Sequence, residues 1–139
     1  YSQLARADVR YSRNYIVNNK YKSTDTDIRK FREVVFSGKS SEMNSLTFSP
    51  DFYTLSSCRD LCFHEKEHRF TIPQLNEVFD INNLTFLGFQ LPKKIKSIYQ
   101  NYFPADKTQT NLKNWAKFEN KHPNTFKGMY QFWVCKTKN

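Results

Sequence analysis

Glycine is scarce in this 139-residue chain, with only three residues, Gly38, Gly88 and Gly128, standing far apart. No glycine-rich strand–turn–helix unit is present, so nothing here is built to cradle a cofactor phosphate on backbone amides. Cysteine is also sparse. Cys58, Cys62 and Cys135 are an odd number without the spacing of a disulfide framework. No segment resembles a signal peptide, and no apolar run is long enough to span a bilayer, so the expectation is a cytoplasmic chain without membrane contact. Acidic residues are outnumbered, 13 against 22 lysines and arginines, for a net charge of +9. The basic residues are scattered from Arg6 to Lys138, with local density only at Lys93, Lys94 and Lys96 and at Lys136 and Lys138. That pattern fits a lysine-rich proteome better than a phosphate-tracking surface, so nucleic acid is not the expected partner.

What the chain has in quantity is aromatic side chains, thirteen Phe and eight Tyr among them. They supply ample core material for a chain of this length, which fits one ordinary domain over residues 1–139 burying roughly two thirds of its unfolded surface.

Periodicity predicts the elements. Leu4, Ala5, Val9, Tyr15 and Ile16 give one helix over Ser2–Asn19. The Thr24–Asp27 cluster caps a second helix with Ile28, Phe31, Val34 and Val35 inward, stopped at Ser37-Gly38. A short helical turn follows over Ser40–Phe48, and Pro50 holds Ser49 extended. Ser56 or Ser57 is the expected cap of a short helix containing Arg59–Phe63. Thr71 and Gln74 form a capping-box pattern with Phe70 and Leu75 at the staple positions, opening a helix that buries Leu75, Val78 and Phe79 and ends near Asn82-Asn83. Leu84–Leu91 is apolar on both alternating faces and reads as an interior strand covered on both sides, ended by Pro92. Lys93–Phe103 is an amphipathic helix with Ile95, Ile98, Tyr99 and Tyr102 inward. Another helix forms around Leu112, Trp115 and Phe118, and Gly128 introduces a strand over Met129–Lys136. The fold class these elements give is α+β, helix-rich, with two strands at about 84–91 and 129–136.

Residues 50–92, PDFYTLSSCRDLCFHEKEHRFTIPQLNEVFDINNLTFLGFQLP, run aromatic turn, helix, buried strand. Together with YSQLAR at Tyr1–Arg6, the helical insert at about 93–122 and GMYQFWV at Gly128–Val134, this order resembles the C-terminal region of class I S-adenosylmethionine-dependent methyltransferases, especially the bacterial kind found with tetratricopeptide repeats. The resemblance implies the closing part of a Rossmann-like fold, with the strands at about 84–91 and 129–136 forming one antiparallel pair, a ribbon marginal in water without further strands or a covering layer, and a lid or substrate wall that is not catalytically competent alone. It implies S-adenosylmethionine as cofactor of the parent protein, held by an N-terminal half upstream of Tyr1, with none bound to this chain. An incomplete sheet also implies self-association as a dimer through an exposed strand edge or aromatic face.

Arg59, Asp60, His64, His68 and Arg69 concentrate polar groups near Phe52, Tyr53, Phe63 and Phe70. One reading is a structural ion-pair network, since buried charges must be paired. The other is an acceptor-substrate wall in which His64 or His68 orients or deprotonates the nucleophile. The candidate substrate-binding side chains are Tyr53, Arg59, Arg69, Tyr130 and Trp133. Tyr1, Tyr130, Phe132 and Trp133 fit either a pocket lining or a core.

His64-Glu65-Lys66-Glu67-His68 is formally the H-E-x-x-H pattern of zinc peptidases. Its charged middle positions, the new helix starting at Thr71 and the absence of a third ligand make it a chance match, with no metal expected. A basic interaction module binding nucleic acid or a protein partner through the Lys93–Lys96 helix and the Lys136 and Lys138 tail, and a zinc hydrolase through His64, Glu65 and His68, are the two alternatives to the methyltransferase reading.

Overall fold

Cap residues set most of the helix starts in the computed structural model, which describes residues 1–64 and 67–137. The chain divides into two units, Arg6–Glu67 and, together, Tyr1–Ala5 with His68–Asn139. The first is a helical unit and the second carries the strands.

In the helical unit, the Thr24 hydroxyl accepts from the Asp27 amide at 3.3 Å and opens α2. This second helix covers Asp25–Phe36, after α1 over Ala7–Asn18. Asp25 and Asp27 stand in the first turn of α2, where the positive end of the helix dipole favours them. The helix stops as expected at Ser37-Gly38, where Gly38 takes a left-handed φ of 67°. Ser41–Phe48 forms a 3-10 turn, and Ser49 is extended before Pro50.

Two helix starts differ from the periodicity. α1 begins at Ala7 rather than Ser2, because the Ser2 hydroxyl accepts from the Leu4 and Ala5 amides, both at 3.2 Å, and turns the chain locally. Ser2 also forms a parallel bridge with Phe70, through Gln3 N–H to the Phe70 carbonyl and Phe70 N–H to the Tyr1 carbonyl. The short helix α3 (Leu55–Cys58) is capped by Thr54, whose hydroxyl accepts from the Ser57 amide at 3.0 Å, rather than by Ser56 or Ser57. It continues into a π-helical turn over Arg59–Phe63 that buries Leu61 and Cys62. Phe31 is the centre of this unit's core, edge-on to Phe52 at 6.2 Å and to Phe63 at 5.6 Å.

The strand-bearing unit starts α4 (Ile72–Ile81) with the full capping box. Thr71 accepts from the Gln74 amide, and the Gln74 side chain accepts from the Thr71 amide at 2.8 Å. The buried face is Ile72, Leu75 and Phe79; Val78, expected inward, is exposed because Ile72 completes the stripe at i, i+3 and i+7. Asn83, with φ of 51°, turns the chain into β1 (Leu84–Phe89).

β1 pairs antiparallel with β2 (Phe132–Lys136), in a sheet of two strands among the described residues. The register contains a bulge. Phe86 faces Val134 and Gly88 faces Trp133, so Leu87 is the extra residue, and Gly88 takes φ of 138°, which L side chains rarely adopt. The bulge resets the alternation and puts Phe86 and Phe89, three apart, on the same buried face. The reading of β1 as a strand covered on both sides is therefore corrected. Its outer face is open, with Leu87 52% and Trp133 65% exposed.

α5 (Lys93–Tyr102) and α6 (Leu112–Lys121) occupy the excursion between the strands. Tyr99 and Trp115 are fully buried and stacked, ring centroids 3.8 Å apart, and the Trp115 indole N–H donates to the Gln109 carbonyl at 2.8 Å. The Tyr99 hydroxyl donates to Asp106. Tyr102, expected inward, is half-exposed and meets Phe118 and His122 edge-on. Among the described residues no helix is long and apolar enough to cross a membrane.

Thr71→Ala is expected to lower unfolding free energy by about 1 kcal/mol, read from urea midpoints at unchanged slope. No neighbouring atom lies within 4 Å of a Cβ built on Gly88, so the destabilisation expected for Gly88→Ala comes from backbone strain alone. A β-branched Gly88→Val variant should be worse still in the same assay.

Candidate functional site

α6 carries an apolar stripe of Leu112, Trp115 and Phe118, and the next inward position is Glu119, only 3% exposed. A carboxylate at a core position needs donors. Two hydroxyls supply them. Ser2 donates to Oε1 at 2.5 Å, and the Tyr130 phenol lies 2.8 Å from Oε1 and 3.0 Å from Oε2. Tyr130 reaches this point because it precedes β2 on the same face as the half-buried Phe132 and Val134. Ser2 is placed by its bridge to Phe70.

Burial pushes the Glu119 carboxyl above the ordinary glutamate range, an effect only partly offset by the Ser2 and Tyr130 hydroxyls. Burial likewise pushes the Tyr130 phenol up, and the adjacent Glu119 charge adds to it. No salt bridge reaches Glu119 among the described residues. A cleft of about 200 Å³ opens beside this cluster, walled by Leu4, Phe70, Ile72 and Ala116 with Glu119 and Tyr130.

Of the candidate substrate-binding side chains Tyr53, Arg59, Arg69, Tyr130 and Trp133, Tyr130 is the one that lines this cleft. Trp133 lies on the opposite face of the sheet, since strand alternation separates it from Tyr130, Phe132 and Val134. Tyr1 is exposed and Phe132 packs in the core. His68 and Arg69 are exposed, and the His68 carbonyl accepts from the Tyr1 amino group at 3.0 Å.

The remaining candidates belong to the helical unit. Tyr53 is exposed, its hydroxyl donating to the Thr47 carbonyl at 2.8 Å. Arg59 bonds Asp25 at 2.6 Å and the Ser23 carbonyl at 3.3 Å, so it ties the π-helical turn to the start of α2. The buried ion pairs gather instead at Glu67, one of the charged middle positions of the H-E-x-x-H segment. Its carboxylate, 5% exposed, takes Arg6 at 2.5 Å and Arg13 at 3.1 Å. Cys58 and Cys62 are free and buried. The hydrogen bond from Cys58, reinforced by burial, pushes the Cys62 thiol up.

His64 is exposed with an extended backbone, φ −68° and ψ 126°, and Glu67–Arg69 carry no helix. The helical turn that would set His64 and His68 on one face is thus not formed by the described residues; Glu65 lies outside them. No group of three or more metal-ligating side chains gathers among the described residues.

Neither Glu119 nor Ser2 stood out in the sequence. Glu119 was detectable as the charged residue at the fourth position of the α6 apolar stripe, whereas Ser2 gave no signal because its partner is 117 residues away. No family model matches the chain, and no curated protein matches it.

A carboxyl whose pKa is raised by folding holds its proton more tightly in the folded state. The stability this contributes is present below the unfolded value, about 4.3, and is lost as pH rises toward the folded value. Glu119→Gln keeps an oxygen to accept from Ser2 and Tyr130, and is expected to flatten that fall in urea titrations run upward from about pH 4, the ordinary glutamate range.

Proposed function

We propose that this chain is the closing region of a class I S-adenosylmethionine-dependent methyltransferase with a Rossmann-like fold. The observation that carries the reading is the connection α4–β1–α5–α6–β2, in which the last strand returns antiparallel beside β1 after a helical excursion. The open sheet face at Leu87 and Trp133 and the two-stranded width support it, since a ribbon this narrow is marginal in water and is completed by further strands in such enzymes.

In this reading β1 is a parallel strand of the parent sheet and β2 its antiparallel closing strand. The Glu119–Tyr130 cleft stands near the carboxyl end of β1, the side on which open α/β sheets bind ligands. The chain then contributes a substrate wall, while a glycine-rich turn elsewhere in the parent protein holds the methyl donor. No general base is required of this region, because placing a nucleophile beside a sulfonium supplies much of the acceleration.

The deciding experiment is to read the DNA upstream of the Tyr1 codon. An in-frame glycine-rich strand–turn–helix sequence with an acidic residue about 20 positions later supports the proposal. A stop codon followed by a start codon next to Tyr1 overturns it. Two properties of the purified chain follow. Calorimetry should detect no low-micromolar binding of S-adenosylmethionine, and light scattering should show a dimer that Trp133→Glu shifts toward monomer.

A further inference from the structure

We propose that the cleft beside Glu119 is a seat for a small alkylammonium group, a primary amine on a short apolar stem, whose charge pairs with the Glu119 carboxylate. The donor count leaves room for it. Ser2 and Tyr130 each bring one proton, and the phenol shares its proton between Oε1 and Oε2. A carboxylate has about four acceptor positions, so with three contacts made about one stays open, on Oε2, to an N–H group of an ammonium.

Charge points the same way. Buried carboxylates in proteins are paired with cations or neutralised, and no salt bridge reaches Glu119 among the described residues. The i−4, i−3, i+3 and i+4 positions on α6 and beyond are Trp115, Ala116, His122 and Pro123; the His122 ring packs against Phe118 and Tyr102 and makes no ion pair with Glu119 among the described residues, and no lysine or arginine stands at these positions.

The cleft has the complementary shape. Leu4, Phe70, Ile72 and Ala116 form apolar walls suited to a methylene stem, and Glu119 lies in the same lining. At about 200 Å³ it is smaller than a drug-sized pocket and matches a short side chain or a small free amine. The site is a property of this chain and does not depend on the methyltransferase reading.

The test uses the full chain labelled with nitrogen-15 and titrated at constant ionic strength with n-butylammonium chloride, then with 1-butanol as the neutral probe. Saturable amide shifts at Thr71, Asn120 and Tyr130 are expected, with butylammonium binding about tenfold tighter than butanol or better. Glu119→Gln should abolish that preference while keeping a dispersed spectrum. Ala116→Leu, which fills the cleft without touching the carboxylate, should block both probes and keeps the test decisive if Glu119→Gln unfolds. Equal response to the two probes overturns the proposal. So do shifts spread equally over exposed carboxylates such as Glu33 and Asp51, or no saturable shift at all; any of these leaves the methyltransferase reading untouched.

Discussion

The bulge at Leu87-Gly88 is the constraint from which the strand-bearing unit is built. Strict alternation along β1 would send Phe86 and Phe89 to opposite faces. By adding Leu87 without a partner, the chain brings both rings inward, where Phe86 stacks on Phe79 of α4 and Phe89 meets Trp115 of α6 edge-on. One irregular residue pair therefore joins the two helices through a single sheet face. The same choice leaves Leu87 and Trp133 on the opposite, open face. Only glycine at position 88 makes the required φ of 138° inexpensive.

The two units bury charge in different ways. In the helical unit Glu67 is met by two guanidinium groups, so its charge is compensated and the cost of desolvation is answered by short-range attraction. In the strand-bearing unit the partners of Glu119 among the described residues are the Ser2 and Tyr130 hydroxyls, which donate hydrogen bonds without supplying charge. Burial consequently raises the Glu119 carboxyl. That difference separates a charge compensated by ion pairs from one that is only hydrogen-bonded.

Local sequence patterns were legible wherever a helix or strand is determined by its own neighbours. The capping box at Thr71 and Gln74, the stop at Gly38 and the turn at Asn83 follow from short-range chemistry, as the structure reproduces them, whereas the antiparallel pairing of β1 with β2 joins segments separated by two helices. The misplacements have local causes too. Thr54 outcompetes Ser56 and Ser57 because the cap must stand in extended conformation ahead of the first turn, and Ser2 folds onto its own following amides instead of entering α1. Apolar content alone made β1 look covered on both sides, because a run such as LTFLGF carries no mark of which ring is inward once a bulge shifts the count.

The amino-acid sequence by itself determined the α+β class, the order of elements and most caps, since these depend on contacts within a few residues. Only the tertiary structure decided that the buried apolar side chains gather in two clusters, one in each unit, and that Ser2, Glu119 and Tyr130 meet. It also decided that Trp133 and Tyr130 part to opposite faces, and that Arg59 pairs with Asp25. Each of those outcomes joins positions far apart in the chain or depends on the parity of a bulged strand. Neither kind of information is carried by spacing, because burial and partnership arise only when distant segments exclude water together.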